Sequence, residues 1–396
     1  VVADVRGRVE ELLAASPLGD RVSVAVRDAR TGAELLAVDS TRSVPAASTA
    51  KLATAIAAIH ELGPQHRFRS ELRAPQAPDA GGVVHGDVVL VGGGDPALQV
   101  EDLAAMADRL RADGVRRITG SVTPDDSLLE RTRWAETWPE RMRLRDSRAL
   151  GALLLGQHAD GSPARADEIP RPDEHAAGVF DTLLRQRGIE IDGVQEPLSG
   201  SVSNPDVTLA SHESPPLSEI LGFMLQRSSS TTAELLARHL GLATTGAGTT
   251  EAGSRAIEAA WPAGAPGVAV ADGSGLASGT RTSADALARL LVDAAGRPET
   301  RGVLEDAMSI AGVRGTIRKR MTDPATAGNV QAKTGTARDA SNLAGWFDDP
   351  SGRRLAFGIT THPIRRDEVV AARALQDAIV GALATGTAPA AGAAAA

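Results

Sequence analysis

Residues 45–59 read Pro45-Ala46-Ala47-Ser48-Thr49-Ala50-Lys51-Leu52-Ala53-Thr54-Ala55-Ile56-Ala57-Ala58-Ile59. The first three residues can turn, and the run from Leu52 has the apolar character of a buried helix. A serine opening that helix, with a lysine three residues later, puts both side chains on one face about one turn apart. Such a pair suits acyl transfer, because a neutral lysine amine can take the hydroxyl proton as the serine oxygen attacks. The competing reading is an N-cap serine followed by a solvated lysine. Composition argues against it. The chain has three lysines, Lys51, Lys319 and Lys333, among 42 lysines and arginines. Arginine stays protonated near neutral pH, whereas lysine becomes a base once its pKa is depressed. Two of the three lysines lie in Ser48-x-x-Lys51 and Lys333-Thr334-Gly335, a coincidence that favours chemistry.

The rest of the composition bounds the answer. A chain of 396 residues suffices for two domains and a sizeable core. The net charge of −8 is modest, and no basic block or aromatic-basic interleaving points to nucleic acid. With four Trp, five Phe and no Tyr, the core must be built from Ala, Leu, Val and Ile. The absence of cysteine excludes disulfides, a thiol nucleophile and Cys-ligated metal. The eight histidines show no metal-binding spacing, so no metal and no cofactor is expected; His60, His66, His175 and His239 read as surface or packing residues. Asp125-Asp126 and Asp348-Asp349 read as turn acids, and Glu234 as structural. Val1-Val2-Ala3-Asp4 is not a basic-then-apolar signal peptide, and no run approaches the ~18 apolar residues of a membrane span.

Along the chain, helical spacing over 4–15 precedes a strand at 22–26 and its hairpin partner at 35–38. The Ser48 helix ends near Gly63-Pro64. A β-like stretch at 83–91 then runs into Gly92-Gly93-Gly94-Asp95-Pro96, which lacks the Lys-Ser/Thr of a phosphate loop and reads as a turn. A helix at 101–113, a strand at 117–122, an irregular stretch at 125–172 and a helix at 174–187 follow. Helices are predicted again at 216–227, 231–240 and 250–261, then a short strand at 268–270 entering Asp272-Gly273-Ser274-Gly275. Helices at 282–296 and 300–308, strands at 330–336, 343–347 and 355–360, and an amphipathic helix at 366–383 complete the pattern. This divides the chain into a domain made of 1–68 and 205–386, an inserted α/β domain at 69–204, and a low-complexity, disordered tail at 387–396.

With these residues in view, the chain resembles the D-alanyl-D-alanine carboxypeptidase/endopeptidase group of low-molecular-mass penicillin-binding proteins, class C, type 4. The signature of that superfamily is Ser-x-x-Lys, Ser-Asp-Asn and Lys-Thr-Gly. Further family-like stretches are Leu90-Val91-Gly92-Gly93-Gly94-Asp95-Pro96, Ser214-Pro215-Pro216-Leu217, Asp272-Gly273-Ser274-Gly275-Leu276, Gly312-Val313-Arg314-Gly315-Thr316 and Leu343-Ala344-Gly345-Trp346. The resemblance implies an α/β (α+β) transpeptidase fold of the serine β-lactamase/DD-peptidase type, with an antiparallel sheet flanked by helices.

It further implies Ser48 as nucleophile, Lys51 as base, and Ser228 as proton shuttle to the leaving amine. Lys333, Thr334 and Thr336 would hold the substrate carboxylate, and Gly335 would leave room for the acyl chain. The backbone N–H groups of Ser48 and Thr336 would form the oxyanion hole. For Lys51 to act near pH 7 its pKa must fall several units from ~10.4, and Lys333 is the nearby cation of the right sign.

One departure stands out. Where the group has Ser-x-Asn, this chain reads Ser228-Ser229-Ser230, and Ser230 offers one donor where an amide has two. Losing such a contact costs about 1–3 kcal/mol, roughly one to two decades in rate. The resemblance implies a secreted or cell-envelope serine DD-peptidase acting on peptidoglycan peptides and acylated by β-lactams. Two alternatives stay open: a weak or inactive homologue that binds muropeptides or partners, and a serine β-lactamase or esterase on the same scaffold.

Overall fold

The computed structural model describes residues 2–143, 145–156, 171–194 and 207–386. The chain forms two compact units. One comprises Val1–Glu61, Leu221–Ala233 and Ser254–Ala396, the other Leu62–Ile220 and Glu234–Gly253.

The first unit is organised on a six-stranded antiparallel sheet drawn from both ends of the chain. Its order is Ser309–Ile310, Gln331–Thr336, Ser341–Asp348, Arg354–Thr361, Val22–Asp28 and Glu34–Val38. Alternation along the strands sorts side chains between two faces. Val22, Val24 and Val26 join Leu343, Phe347, Phe357 and Ile359 in one apolar cluster, together with Leu13 and with Leu375, Ile379 and Leu383 of helix Val369–Thr385. The intervening Ala25 packs against Ala284 and Ala288 of helix Ala284–Gly296 on the other face. Small residues are required there. Gly358 lies opposite Ala25, and a Cβ on it would sit 2.2 Å from the Ala284 carbonyl oxygen. The expected arrangement, an antiparallel sheet flanked by helices, is the one observed. Helix Ala50–Leu62 is buried from Ala50 to Ile59, as its apolar run predicts.

The second unit holds a four-stranded sheet, Val207–Glu213, Arg69–Ala74, Val88–Val91 and Val122–Asp125, antiparallel except for the last pairing. A three-stranded parallel sheet is formed by Val83–Val84, Arg117–Ile118 and Glu190–Ile191. Leu103, Met106 and Leu110 of helix Val100–Ala112, with Phe180 and Leu184 of helix Pro172–Gln186, share a core with Leu72, Leu90 and Val122. The stretch expected as an insert, 69–204, falls in this unit, which also takes in 62–68, 205–220 and 234–253.

Several local expectations are corrected. The β-like run 83–91 is two strands in different sheets, broken where Gly86 adopts φ +93°. The strand expected at 117–122 likewise divides into Arg117–Ile118 and Val122–Asp125. Residues 268–270 make only a bridge between Ala269 and Arg281. Strand Val207–Glu213 escaped the sequence reading because it is an edge strand with only Ala210 buried, so it carries little apolar alternation. The expected irregular stretch contains a short helix, Glu140–Arg143. Its part at 157–170, and the tail at 387–396, lie outside the described residues.

The Gly92–Gly94 run is a turn whose glycines permit close approach. A Cβ on Gly93 would lie 2.0 Å from the Arg69 carbonyl oxygen, and Gly94 (φ +66°) leaves space for the His239 ring. Nε2 of His239 lies 3.0 Å from the Gly94 carbonyl, and burial lowers the pKa of this imidazole to about 4.

Two outcomes follow from this packing. Gly358→Val should lower the chemical-denaturation midpoint by the equivalent of about 1–3 kcal/mol, because the helix must lift off the sheet. By contrast, Gly302→Ala, in helix Pro298–Ala307 with open space around its Cβ, should stabilise by roughly 0.5–1 kcal/mol. Unfolded His239 titrates near 6.5 and folded His239 near 4, so between those values the unfolded chain binds more protons and acid favours unfolding. His239→Gln should therefore remove up to roughly 3 kcal/mol of the stability lost between pH 6.5 and 4, at ~1.4 kcal/mol per pH unit, read as the difference between the two proteins' midpoint–pH curves.

Candidate active site

The site lies within the first unit and begins with backbone geometry. Ala47–Thr49 is a 3-10 turn that leads directly into helix Ala50–Leu62. Ala47 sits at φ +47° just before Ser48, a conformation that costs a non-glycine residue about 1–3 kcal/mol and needs external support. That support comes from the sheet. Asn342, on strand Ser341–Asp348, donates from Nδ2 to the carbonyls of Pro45 (2.9 Å) and Ala46 (3.0 Å). The Thr49 hydroxyl closes the turn onto Ala46 O at 2.6 Å.

Ser48 is half-buried and Lys51 fully buried. The Lys51 amine lies 2.9 Å from Ser48 Oγ, 3.3 Å from Ser230 Oγ and 2.7 Å from the Ser274 carbonyl oxygen. The carbonyl can only accept, so it takes one N–H of the amine. In a neutral amine, the lone pair can accept from the Ser48 hydroxyl at 2.9 Å.

Ser274 is presented by a loop wound around one buried acid. Asp272 accepts from Ser274 Oγ (2.6 Å), from the N–H groups of Gly275, Leu276 and Ala277, and from Thr280 Oγ1. The same loop offers the Gly273 carbonyl to Thr54 Oγ1 at 2.6 Å. Gly275 has φ +78°, and a Cβ there would lie 1.9 Å from Ala47 O. The Asp272-Gly273-Ser274-Gly275 turn thus fits against the turn that carries Ser48.

The three consecutive serines divide the work between Ser228 and Ser230. Ser229 is the N-cap: its Oγ accepts from Thr232 N at 3.2 Å, and helix Ser230–Thr245 begins at the next residue. With the cap taken by Ser229, the other two hydroxyls pair with the buried lysines. Ser228, at φ +60° beyond the end of helix Leu217–Arg227, accepts from Lys333 Nζ at 2.9 Å. The sequence reading gave Ser228 a shuttle role between Lys51 and the leaving amine and Ser230 a substrate contact; the hydrogen bonds pair Ser230 with Lys51 and Ser228 with Lys333.

Lys333 is fully buried on strand Gln331–Thr336 and also donates to Thr334 O at 2.7 Å. Burial, and then the neighbouring Lys51 charge, hold its pKa well below the usual lysine range. That repulsion is mutual, so the pair holds one proton far more easily than two. The strand itself is paired along its whole length with Ser341–Asp348, yet Ser309–Ile310 meets it only at Gln331 and Ala332. Among the described residues, its second edge carries no strand from Lys333 to Thr336.

Gly335 has a packing role that the sequence reading did not assign. A Cβ there would come within 3.0 Å of Ala46 O and Thr49 N, so glycine lets the strand close on the turn that carries Ser48. The Thr334 hydroxyl donates to Thr316 Oγ1 at 3.0 Å, and Thr336 Oγ1 accepts from Arg373 at 3.1 Å. Sequence reading assigned no role to Asp272, Thr316, Asn342 or Arg373. Asp272 and Thr316 lie in stretches already noted; Asn342 and Arg373 carried no local signal. Among the described residues, no group of three or more His, Asp or Glu is placed to hold a metal ion.

Asp272→Asn replaces an acceptor of four or more hydrogen bonds with a group that must donate from one side. It should cost about 1–3 kcal/mol in stability. By loosening the Ser274 carbonyl it should also slow acylation of Ser48 at least tenfold, measured on folded protein.

Comparison with known proteins places this arrangement in context. A sequence model described as the D-Ala-D-Ala carboxypeptidase 3 (S13) family matches residues 5–147 and 157–385. A D-alanyl-D-alanine carboxypeptidase from an Actinomadura species is 31% identical over 441 residues, covering 91% of this chain and 81% of the relative. Among solved structures, penicillin-binding protein 4 (dacB) from Haemophilus influenzae superposes with a TM-score of 0.79 at 20% identity, over 95% of this chain and 99% of the other. The same Haemophilus protein complexed with a novel β-lactam gives 0.72 at 20% identity, over 93% and 98%.

Proposed function

The chain belongs to the D-Ala-D-Ala carboxypeptidase 3 (S13) family, and on that premise we propose that it is a serine DD-peptidase acting through an acyl-enzyme on Ser48. The observation that carries the assignment of the nucleophile is the buried Lys51 amine, held at once by Ser48, Ser230 and the Ser274 carbonyl.

The substrate is a peptidoglycan peptide ending in D-Ala-D-Ala. Its extended backbone lies along the open Lys333–Thr336 edge, in the manner of an added strand. Thr334 and Thr336 hold the terminal carboxylate beside Lys333. The arriving negative charge favours the protonated form of Lys333, which in turn favours the neutral form of Lys51. Ser48 Oγ then attacks the carbonyl carbon of the penultimate D-alanine while its proton passes to Lys51 Nζ. The N–H groups of Ser48 and Thr336 receive the developing oxyanion.

As the tetrahedral intermediate collapses, the C–N bond breaks and the proton held on Lys51 moves through a serine hydroxyl to the departing D-alanine amine. Ser230 is the hydroxyl on Lys51 and Ser228 the one on Lys333, so both flank this route. Water hydrolyses the resulting ester and frees Ser48. A β-lactam enters the same path, and its tethered leaving group gives a longer-lived adduct. Peptidoglycan lies outside the cytoplasmic membrane, so the protein works in the cell envelope or beyond it. Among the described residues no helix is long and apolar enough to cross a membrane.

Intact-mass spectrometry after incubation with benzylpenicillin tests this. The native chain should gain one penicilloyl mass, and Ser48→Ala none. Lys51→Ala should acylate roughly 100- to 10,000-fold more slowly, the range for a lost general base. A folded native chain that stays unmodified at high drug concentration would sink the assignment. Release of D-alanine from a D-Ala-D-Ala peptide, compared with the rate of penicillin turnover, separates a peptidase from a β-lactamase.

A further inference from the structure

We propose that Arg373 is a substrate-anchoring residue, whose guanidinium binds the carboxylate of the peptide or β-lactam alongside Thr336. The inference rests on the serine-peptidase reading and adds to it a cation from outside the sequence motifs.

Arg373 lies in helix Val369–Thr385, and it donates to Thr336 Oγ1 at 3.1 Å. Thr336 is an exposed residue at the end of the open strand edge. The helix is fixed to the strand that pairs with Thr336 on the side away from the open edge. Gln376 donates to the carbonyl (2.9 Å) and the hydroxyl (3.2 Å) of Ser341, and Ser341 is the residue paired with Thr336.

The charges around Arg373 are arranged so that its own is left over. The natural partner one turn along its helix is Asp377, but Arg320 takes that carboxylate with Nε and Nη2 together, at 2.7–3.2 Å. Arg320 also donates to the Arg373 carbonyl oxygen at 3.3 Å, which holds the backbone of Arg373 in place. Among the described residues no carboxylate pairs with the Arg373 guanidinium. It is therefore a positioned, unpaired cation whose one polar side-chain contact is a neutral hydroxyl on the substrate edge. A planar guanidinium with spare donors binds a carboxylate in bidentate fashion. This matters because Lys333 is fully buried with its pKa held down; an always-charged group on the exposed side can attract the anion before Lys333 is protonated.

The test compares acylation by benzylpenicillin with acylation by its methyl ester, which lacks the free carboxylate, in the native chain, Arg373→Ala and Arg373→Lys. Arg373→Ala should slow benzylpenicillin at least tenfold and the ester less than twofold, and Arg373→Lys should recover part of the loss. The native rate with benzylpenicillin should also fall with added salt more steeply than that of Arg373→Ala. Equal rates for Arg373→Ala and the native chain, or an equal slowing with both reagents, would overturn the anchoring role and leave Ser48 as the nucleophile. A native chain acylated by neither reagent would overturn the peptidase reading, and this inference with it.

Discussion

The Lys51 amine is the group on which the rest of the structure depends. It is fully buried, and an ammonium taken out of water carries a penalty of several kcal/mol unless its protons are matched by acceptors. Two hydroxyls and one carbonyl surround it. Each comes from a different part of the chain: the turn before helix Ala50–Leu62, the start of helix Ser230–Thr245, and the Asp272 loop. The fold converges on a polar point inside an apolar helix.

Supporting that convergence requires small residues and buried polar ones in particular places. Gly275 and Gly335 bring the Asp272 loop and strand Gln331–Thr336 into contact with the turn that carries Ser48. Asn342 holds the carbonyls that precede Ser48. Asp272 collects donors around one carboxylate. Gly275, Asn342 and Asp272 need not touch a substrate, yet each decides where a reacting atom sits. A displacement of about 1 Å at such a site can cost two decades in rate, which gives these supporting contacts their weight.

The lysine pair adds an electrostatic constraint. Two buried amines that repel one another share protons unequally, and a carboxylate arriving at one changes the state of the other. In the proposed reaction, binding and base activation are thereby linked through a single interaction. The substitution of serine for asparagine at position 230 fits within this frame: its hydroxyl reaches Lys51, so the amine keeps a partner there.

By itself the sequence determined the fold class and singled out the Ser48–Lys51 pair as the candidate for chemistry. The scarcity of lysine singled out Lys51 and Lys333, helical spacing put Lys51 on the face of Ser48, and period-two apolar runs announced the hairpins at both ends of the chain. These are local signals, set by propensity and periodicity. Local pattern could not say that Ser229 rather than Ser228 caps its helix, since three identical side chains compete for one N-terminus. Nor could it show that Gly335 makes room for the protein's own backbone, or that Arg320 takes the acid that Arg373 would otherwise hold. Strand Val207–Glu213 was equally silent, because an edge strand buries too little to leave an apolar pattern. Only the tertiary structure decided these points: the cap is a choice among adjacent identical hydroxyls, and the others depend on groups that meet across tens to hundreds of residues through packing and not through sequence spacing.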